Sequence, residues 1–275
     1  MKSILRRIAT RVFHNAQLHR YSKYQKRHDL NLSFSEATSR YVDRNMLYRY
    51  MHHYFHHLCP EEVRRHRAFF QQDLRGFGED ALHAMWWLIF EEFKPTTCLE
   101  IGVYRGQVIS LWSLVARALR MHPQIHGISP FTLAGDEVSV YREDINYLKD
   151  TQEFFQVFGL PAPILVKSLS MEPAAVEHIA AHHWDLIYID GSHDYAVVLA
   201  DYQLCSSHLN VGGLLVLDDS SLGTGYRPPL FAFAGHPGPS RVCQELAMVE
   251  LAFLGGVGHN NVFRKMSPRN GKPEC

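Results

Sequence analysis

The chain has 275 residues, 46% of them hydrophobic and 20% charged, the composition of a soluble globular protein with room for one large domain and an appendage. Its 28 lysines and arginines balance 28 aspartates and glutamates, which excludes a global positive field and with it any expectation of a nucleic-acid partner. Five widely spaced cysteines, Cys59, Cys98, Cys205, Cys243 and Cys275, form no C-x-x-C pair, so neither a disulfide framework nor a zinc knuckle is indicated, and a reducing, cytoplasmic location is expected.

Residues 1–30 form a basic arm, eight lysines and arginines against Asp29 alone. Arginines interrupt the apolar positions of "MKSILRRIATRVF" too often for a signal peptide, and no run approaches the roughly 20 apolar residues of a membrane span. Ile4, Leu5, Ile8 and Val12 share one helical face, so the arm is a candidate for contact with a partner subunit, in a homo-oligomer, or with an anionic membrane surface. The rest of a first region, 1–80, is rich in arginine, histidine and aromatic residues and reads as several helices, an assembly device or a cover for a substrate. Within it, "HHYFHH" pairs His52 with His56 and His53 with His57 at i,i+4, but no carboxylate or cysteine at ligand spacing completes either pair.

From residue 81 to 275 the expectation is one α/β domain: a doubly wound, mostly parallel sheet of seven strands. Candidate strands are "TCLEIGV", "QIHGIS", "PILVKS", "WDLIYID" and "GGLLVLDD", with "AFLGGVGHNNVFRKM" supplying two more around a tight turn. Leu111, Leu114, Val115 and Ala118 mark the face of one helix; Val198, Tyr202, Cys205 and Leu209 mark another, stopped by Gly212 and Gly213. Residues 220–240, heavy in glycine and proline, read as a lid loop over the site.

In such a sheet, ligands bind beyond the carboxyl ends of the strands. The first strand ends in "LEIGVYRGQ", where Gly102 and Gly106 allow a tight turn and close approach of backbone to ligand, and Glu100 offers a carboxylate to a cationic amine. The spacing is G-x-x-x-G and the second strand ends "GISPF" without an acid, which argues against a nicotinamide dinucleotide. Asp190 closes the fourth strand, and Asp218 with Asp219 closes the fifth. Three unpaired carboxylates converging on one space raise one another's pKa, a conflict that a hard divalent cation such as Mg2+, Ca2+ or Mn2+ removes.

E-x-G-x-x-x-G after a buried strand, with this order of elements over residues 80 to 266, resembles the class I S-adenosylmethionine-dependent methyltransferases. "IDGSHDY" with "LDD" resembles their metal-dependent O-methyltransferases, the macrocin O-methyltransferase and cephalosporin-hydroxylase-like group. The resemblance implies an S-adenosylmethionine site built from Glu100, Gly102, Tyr104, Gly106, Ser129, Asp190 and Ser170, the last beside the adenine. It implies Asp190, Asp218 and Asp219 as metal ligands, with His193 as general base. The usual ribose-binding acid at the end of the second strand is missing, and Ser129 or Asp136 is expected in its place. Tyr195, Arg227, Phe231 and His236 are candidates for contact with the acceptor, a hydroxyl of a sugar, polyol or natural product. A metal-dependent hydrolase or hydroxylase on the same aspartates, and a non-catalytic binding module, are the alternatives.

Overall fold

The computed structural model describes residues 31–139, 141–229 and 232–267, together with Val12 and Ala16; Phe231, Cys275 and nearly all of the basic arm lie outside these. The described chain starts with a capped helix, α1 (Phe34–Arg40), where the Ser33 side chain accepts from the Glu36 amide and Glu36 reaches back to the Ser33 amide. This reciprocal cap satisfies two donors that a helix start leaves open. Asp43 caps α2 (Arg44–His57) through the Met46 amide. After α3 (Glu61–Phe70), α4 (Asp80–Phe93) is buried along eleven consecutive residues, Asp80 to Phe90, as a helix packed on several sides must be.

The alternation of strand and helix then runs as the apolar pattern predicts: β1 (Thr97–Ile101), α5 (Gln107–Ala118), β2 (Gln124–Ser129), α6 (Tyr147–Val157), β3 (Ile164–Lys167), α7 (Pro173–Ala180), β4 (Trp184–Ile189), α8 (Tyr195–His208), β5 (Leu209–Leu217), α9 (Pro237–Val242), β6 (Ala252–Val257) and β7 (Asn260–Arg264). A π-helical turn, Cys243–Ala247, carries α9 onward to Glu250. The seven strands form one sheet in the order β3-β2-β1-β4-β5-β7-β6, with β7 antiparallel to both neighbours. The chain order reverses between β1 and β4, so the loops after those strands open the crevice where such sheets take ligands.

Each sheet face has its own core. One is covered by α1, α2, α4 and α5, where Trp86 meets Trp112 and Tyr188 edge-on at ring separations of 5.1 Å each, a geometry that adds about 0.5–1.5 kcal/mol per pair beyond area burial. The opposite face buries α7, α8, the end of α9 and the π-helical turn after it. No helix among the described residues is long and apolar enough to cross a membrane.

Three expectations are corrected. Helix α8 ends at His208, and Gly212 and Gly213 lie inside β5. They permit an irregularity in its pairing with β4, since Gly212 has φ +86° and a Cβ on Gly213 would press on the Trp184 carbonyl at 3.1 Å. Ala118 is exposed, and Ala116 takes the buried position on α5. The loop after β5 is shorter than expected: α9 starts at Pro237, and a Ser220–Gly235 bridge draws the two ends of the loop together.

Candidate functional site

Three loops meet at the crevice. The β1 loop turns at Gly102, φ +101°, whose Cβ position would fall 1.8 Å from the Asp190 carbonyl oxygen, so only glycine lets the β1 and β4 loops touch. Gly106, φ +78°, opens α5. One residue before the end of β1, Glu100 is buried with its Oε2 unpartnered, and burial pushes its pKa up to about 8. An orphaned buried acceptor is costly; beside a glycine turn it fits a ligand that brings a hydrogen-bond donor.

The tips of β4 and β5 are held in register by Asp190 N–H to the Ile101 carbonyl (2.8 Å) and Asp218 N–H to the Ile189 carbonyl (3.0 Å). This sets the Asp190 and Asp218 carboxyls against each other. Burial and then the Asp218 charge raise the Asp190 pKa well above the carboxylate range; burial also pushes Asp218 up, but His259 and hydrogen bonds from Asp190 and Tyr188 together outweigh it and hold Asp218 below the range. Asp190 therefore keeps the shared proton in the absence of a cation. Asp219 has a left-handed backbone, φ +49°, stabilised where its carbonyl accepts the His236 amide at 2.7 Å.

His193 is held from both sides. Its amide and Nδ1 donate to Asp136 Oδ2 at 2.5 and 2.7 Å, and its Nε2 lies 2.9 Å from Asp219 Oδ2. Burial disfavours the imidazolium, but these carboxylates override it and lift the pKa to about 9. The His236 ring sits 4.2 Å from the His193 ring, with Nε2 3.9 Å from Asp219. From the β6–β7 turn comes His259, 6% exposed, with Nε2 3.2 Å from Asp218 Oδ1 and 3.9 Å from Asp219 Oδ1.

Those two carboxylate oxygens have no hydrogen-bond partner although their residues are 8% and 5% exposed. A divalent cation would satisfy both, so the residues fit a metal. Donor atoms mutually within 4.8 Å fall into two sets at this site, Asp218 with Asp219 and His259, and His193 with Asp219 and His236. Asp190 converges on the same space but enters neither set.

Other expected residues have different surroundings. Asp136 is engaged by His193 and Ser139. Ser129 ends β2 buried, its carbonyl taking the Ser168 amide. Ser170 lies by the buried Asp201, whose pKa burial lifts to about 6 against the pull of the Ser170 hydroxyl. Tyr104 packs in a cluster with Phe77, Tyr141 and Tyr147 beside the β1 loop. The Tyr195 hydroxyl donates to Glu245 at 2.8 Å and the ring underlies Arg241. Arg227 is exposed, with its amide bound by the Asn45 side chain at 2.7 Å.

Two participants escaped the sequence reading, His259 and Arg44; Phe233, from the expected lid loop, stacks on His259 at 5.3 Å. The Arg44 guanidinium, at the start of α2, donates to Ser221 Oγ, to the Gly258 carbonyl (3.1 Å), to the Asn260 carbonyl (3.3 Å) and to Asn261 Oδ1. It thereby ties the helical region to the loop after Asp219 and to the turn carrying His259. The histidine pair also acquires the carboxylate that local spacing denied it. Asp80 Oδ2 lies 2.9 Å from His56 Nε2 and 3.8 Å from His52 Nε2. Arg67 Nε, 3.1 Å from Asp80 Oδ1, already balances that charge, so no cation is required there.

Residues 99–220 match a family model described as a methyltransferase domain. Over 130 residues the chain is 26% identical to an uncharacterized protein of Acanthamoeba polyphaga mimivirus; the match covers 46% of this chain and 53% of that protein, so the chain spans about half the length of the curated relative it matches. Similar solved structures include a Podospora anserina methyltransferase bound to SAH (15% identity, TM-score 0.51, 76% of this chain and 89% of that one) and an O-methyltransferase from Bacillus cereus in complex with SAH (14%, 0.51, 78% and 96%). A third is the O-methyltransferase TomG from Streptomyces achromogenes in complex with SAM (14%, 0.50, 78% and 95%). At these identities the likeness establishes the fold, the α/β Rossmann-like methyltransferase fold.

Proposed function

We propose that this chain, whose residues 99–220 match a methyltransferase domain model, transfers a methyl group from S-adenosylmethionine to a hydroxyl oxygen of a small molecule, with a divalent cation at Asp190, Asp218 and Asp219. The observation that carries the reading is the meeting, at the carboxyl ends of β4 and β5, of a carboxylate-held imidazole with two orphaned carboxylate oxygens. S-adenosylmethionine supplies an electrophilic methyl, and Glu100, Gly102 and Gly106 are the residues that would hold it, by an unpartnered acceptor and a backbone turn open to close approach. A cation on the aspartates would lower the pKa of an acceptor hydroxyl and orient it.

The chain's own groups do the rest. Asp136 fixes His193 Nδ1 as a donor, so Nε2 is the nitrogen turned toward the carboxylates; a cation engaging Asp219 would weaken the pull that keeps this ring protonated and leave Nε2 able to take a proton from the acceptor. Pro239 and the β5 tip wall the cleft beside Asp190 and His193, which limits water there and strengthens every charge interaction. His236 and Phe233, on the loop after β5, stand over the imidazoles, placed to contact an acceptor of the sugar, polyol or natural-product class. Four buried free cysteines, Cys59, Cys98, Cys205 and Cys243, suit a reducing cytoplasmic setting.

Calorimetric titration with S-adenosylmethionine and S-adenosylhomocysteine, each with and without Mg2+, tests the reading. Binding of both is expected. Absence of heat with either, with a cation still bound, would instead favour a metal-dependent hydrolase on the same aspartates.

A further inference from the structure

We infer that His259 is a ligand of the cation site, making it a mixed nitrogen and oxygen centre that prefers Mn2+ or Co2+ over Mg2+. The inference rests on the reading of Asp218 and Asp219 as cation ligands and goes beyond it by adding a residue from a different part of the chain. Three observations carry it.

His259 Nε2 faces two carboxylates at once. Asp218 Oδ1 is 3.2 Å away and Asp219 Oδ1 3.9 Å, and neither oxygen makes a hydrogen bond. One N–H can satisfy one acceptor, so an ion pair leaves an oxygen orphaned, whereas a shared cation engages all three atoms. They form one of the donor sets lying within 4.8 Å.

The ring is also immobilised as ligating imidazoles are. It occupies the two-residue turn between β6 and β7, and the Ser220 amide holds its backbone carbonyl at 2.9 Å. Arg44 grips the carbonyls on either side, those of Gly258 and Asn260. Phe233 covers one face with ring planes 13° apart.

Behind the ring stands a carboxylate. Nδ1 is buried without a hydrogen bond and has Glu79 Oε1 at 3.8 Å, while the Tyr48 hydroxyl donates to the other Glu79 oxygen at 2.5 Å. A carboxylate behind the far nitrogen is the usual support of a metal-bound histidine, fixing its tautomer and raising its basicity. Imidazole favours borderline transition metals, and affinity at such sites rises from Mn2+ to Co2+, whereas all-oxygen sites suit Mg2+ and Ca2+.

The test uses the full-length protein loaded with Mn2+, read by electron spin echo modulation from directly bonded nitrogen, beside calorimetric titrations with Mg2+, Mn2+ and Co2+. Wild-type protein is expected to show nitrogen coupling and to bind Co2+ at least about tenfold more tightly than Mg2+. His259→Asn should abolish the coupling and compress that ratio toward unity, while His193→Gln should keep both. An oxygen-only Mn2+ spectrum in the wild type overturns the role of His259 and leaves the cation reading standing; no binding of any of the three metals overturns both. Coupling that persists in His259→Asn overturns the assignment. If that variant fails to fold, loss of coupling in His193→Gln overturns it instead, by giving the nitrogen to the other donor set.

Discussion

Gly102→Ala puts the smallest side chain at the closest contact between the β1 and β4 loops. The added Cβ would lie 1.8 Å from the Asp190 carbonyl oxygen, 2.3 Å from its carbon and 2.6 Å from the Gly191 nitrogen. All three are backbone atoms, so no flexible side chain can yield. Both loops are also pinned, Gly102 N–H on the Ile128 carbonyl at 2.9 Å and Asp190 N–H on the Ile101 carbonyl at 2.8 Å. Holding alanine at φ +101° costs on the order of 1–3 kcal/mol, and relieving the overlap adds about 1–3 kcal/mol more. A total of roughly 2–6 kcal/mol is a large part of a domain's 5–15, so the variant should fold with a much lower urea midpoint and, with Asp190 displaced, bind cation more weakly. Gly225→Ala is the control: it has φ +75° and a Cβ position with nothing within 4 Å, so it carries the conformational cost without the collision. The reasoning is refuted if Gly102→Ala loses no more stability than Gly225→Ala and its cation affinity is unchanged.

Acid should weaken the junction between the helical region and α5. His66 faces Ser110 Oγ at 2.9 Å and His83 Nε2 at 3.3 Å, and His83 Nδ1 donates to the Glu79 carbonyl; two ring nitrogens that meet share one proton, so the contact is lost if both rings are charged. Burial depresses the His83 pKa from 6.5 to about 3 and drives His66 down as well. A histidine with a lowered folded pKa stabilises fully above about pH 6.5 and loses that stability as pH falls toward 3, at about 1.4 kcal/mol per pH unit per group; the difference in urea midpoint between wild type and His83→Gln should be constant above about pH 6.5 and shift against the wild type as pH falls below it. Asp136→Asn removes one of the two carboxylates that hold His193 charged, so the imidazole pKa followed by NMR should fall from about 9 toward the ordinary range; an unmoved titration would leave Asp219 as the sole cause. Arg44→Met should lower stability by about 1–3 kcal/mol through buried acceptors left unpaired, and amide exchange should rise at both Ser221 and Asn261, whereas exchange rising at one alone would break the idea of a single clamp.

The sheet was legible because burial imposes apolar runs of strand length on it: β2 matches its expected span residue for residue, and the last two strands with their tight turn fall inside the segment expected to supply them. The carboxylates at the tips of β4 and β5 were legible for the same reason, since an acid that ends a buried run stands out. What could not be read was pairing across the chain. Asp80 reaches His56 over 24 positions and Asp136 reaches His193 over 57, and no local spacing encodes such meetings. His259 sits in a two-residue turn that reads as ordinary hairpin chemistry until Asp218 and Asp219 are placed beside it. The glycines of β5 misled because a helix stop and a strand irregularity use the same residue.

The grip of Arg44 has a consequence for the order in which the protein is built. Its partners Ser221 and Asn261 follow it by 177 and 217 residues, so α2 leaves the ribosome long before either exists. The sheet grows strand by strand from β1, but the turn carrying His259 emerges only after β6, and until it does the guanidinium lacks the Gly258, Asn260 and Asn261 acceptors. Long-range closure of this kind is slow because the loop entropy precedes the reward. A nascent chain stalled before β6 should therefore have its glycine turn but only the Ser221 part of the Arg44 clamp, and the final hairpin is what ties α2 to the loop after β5.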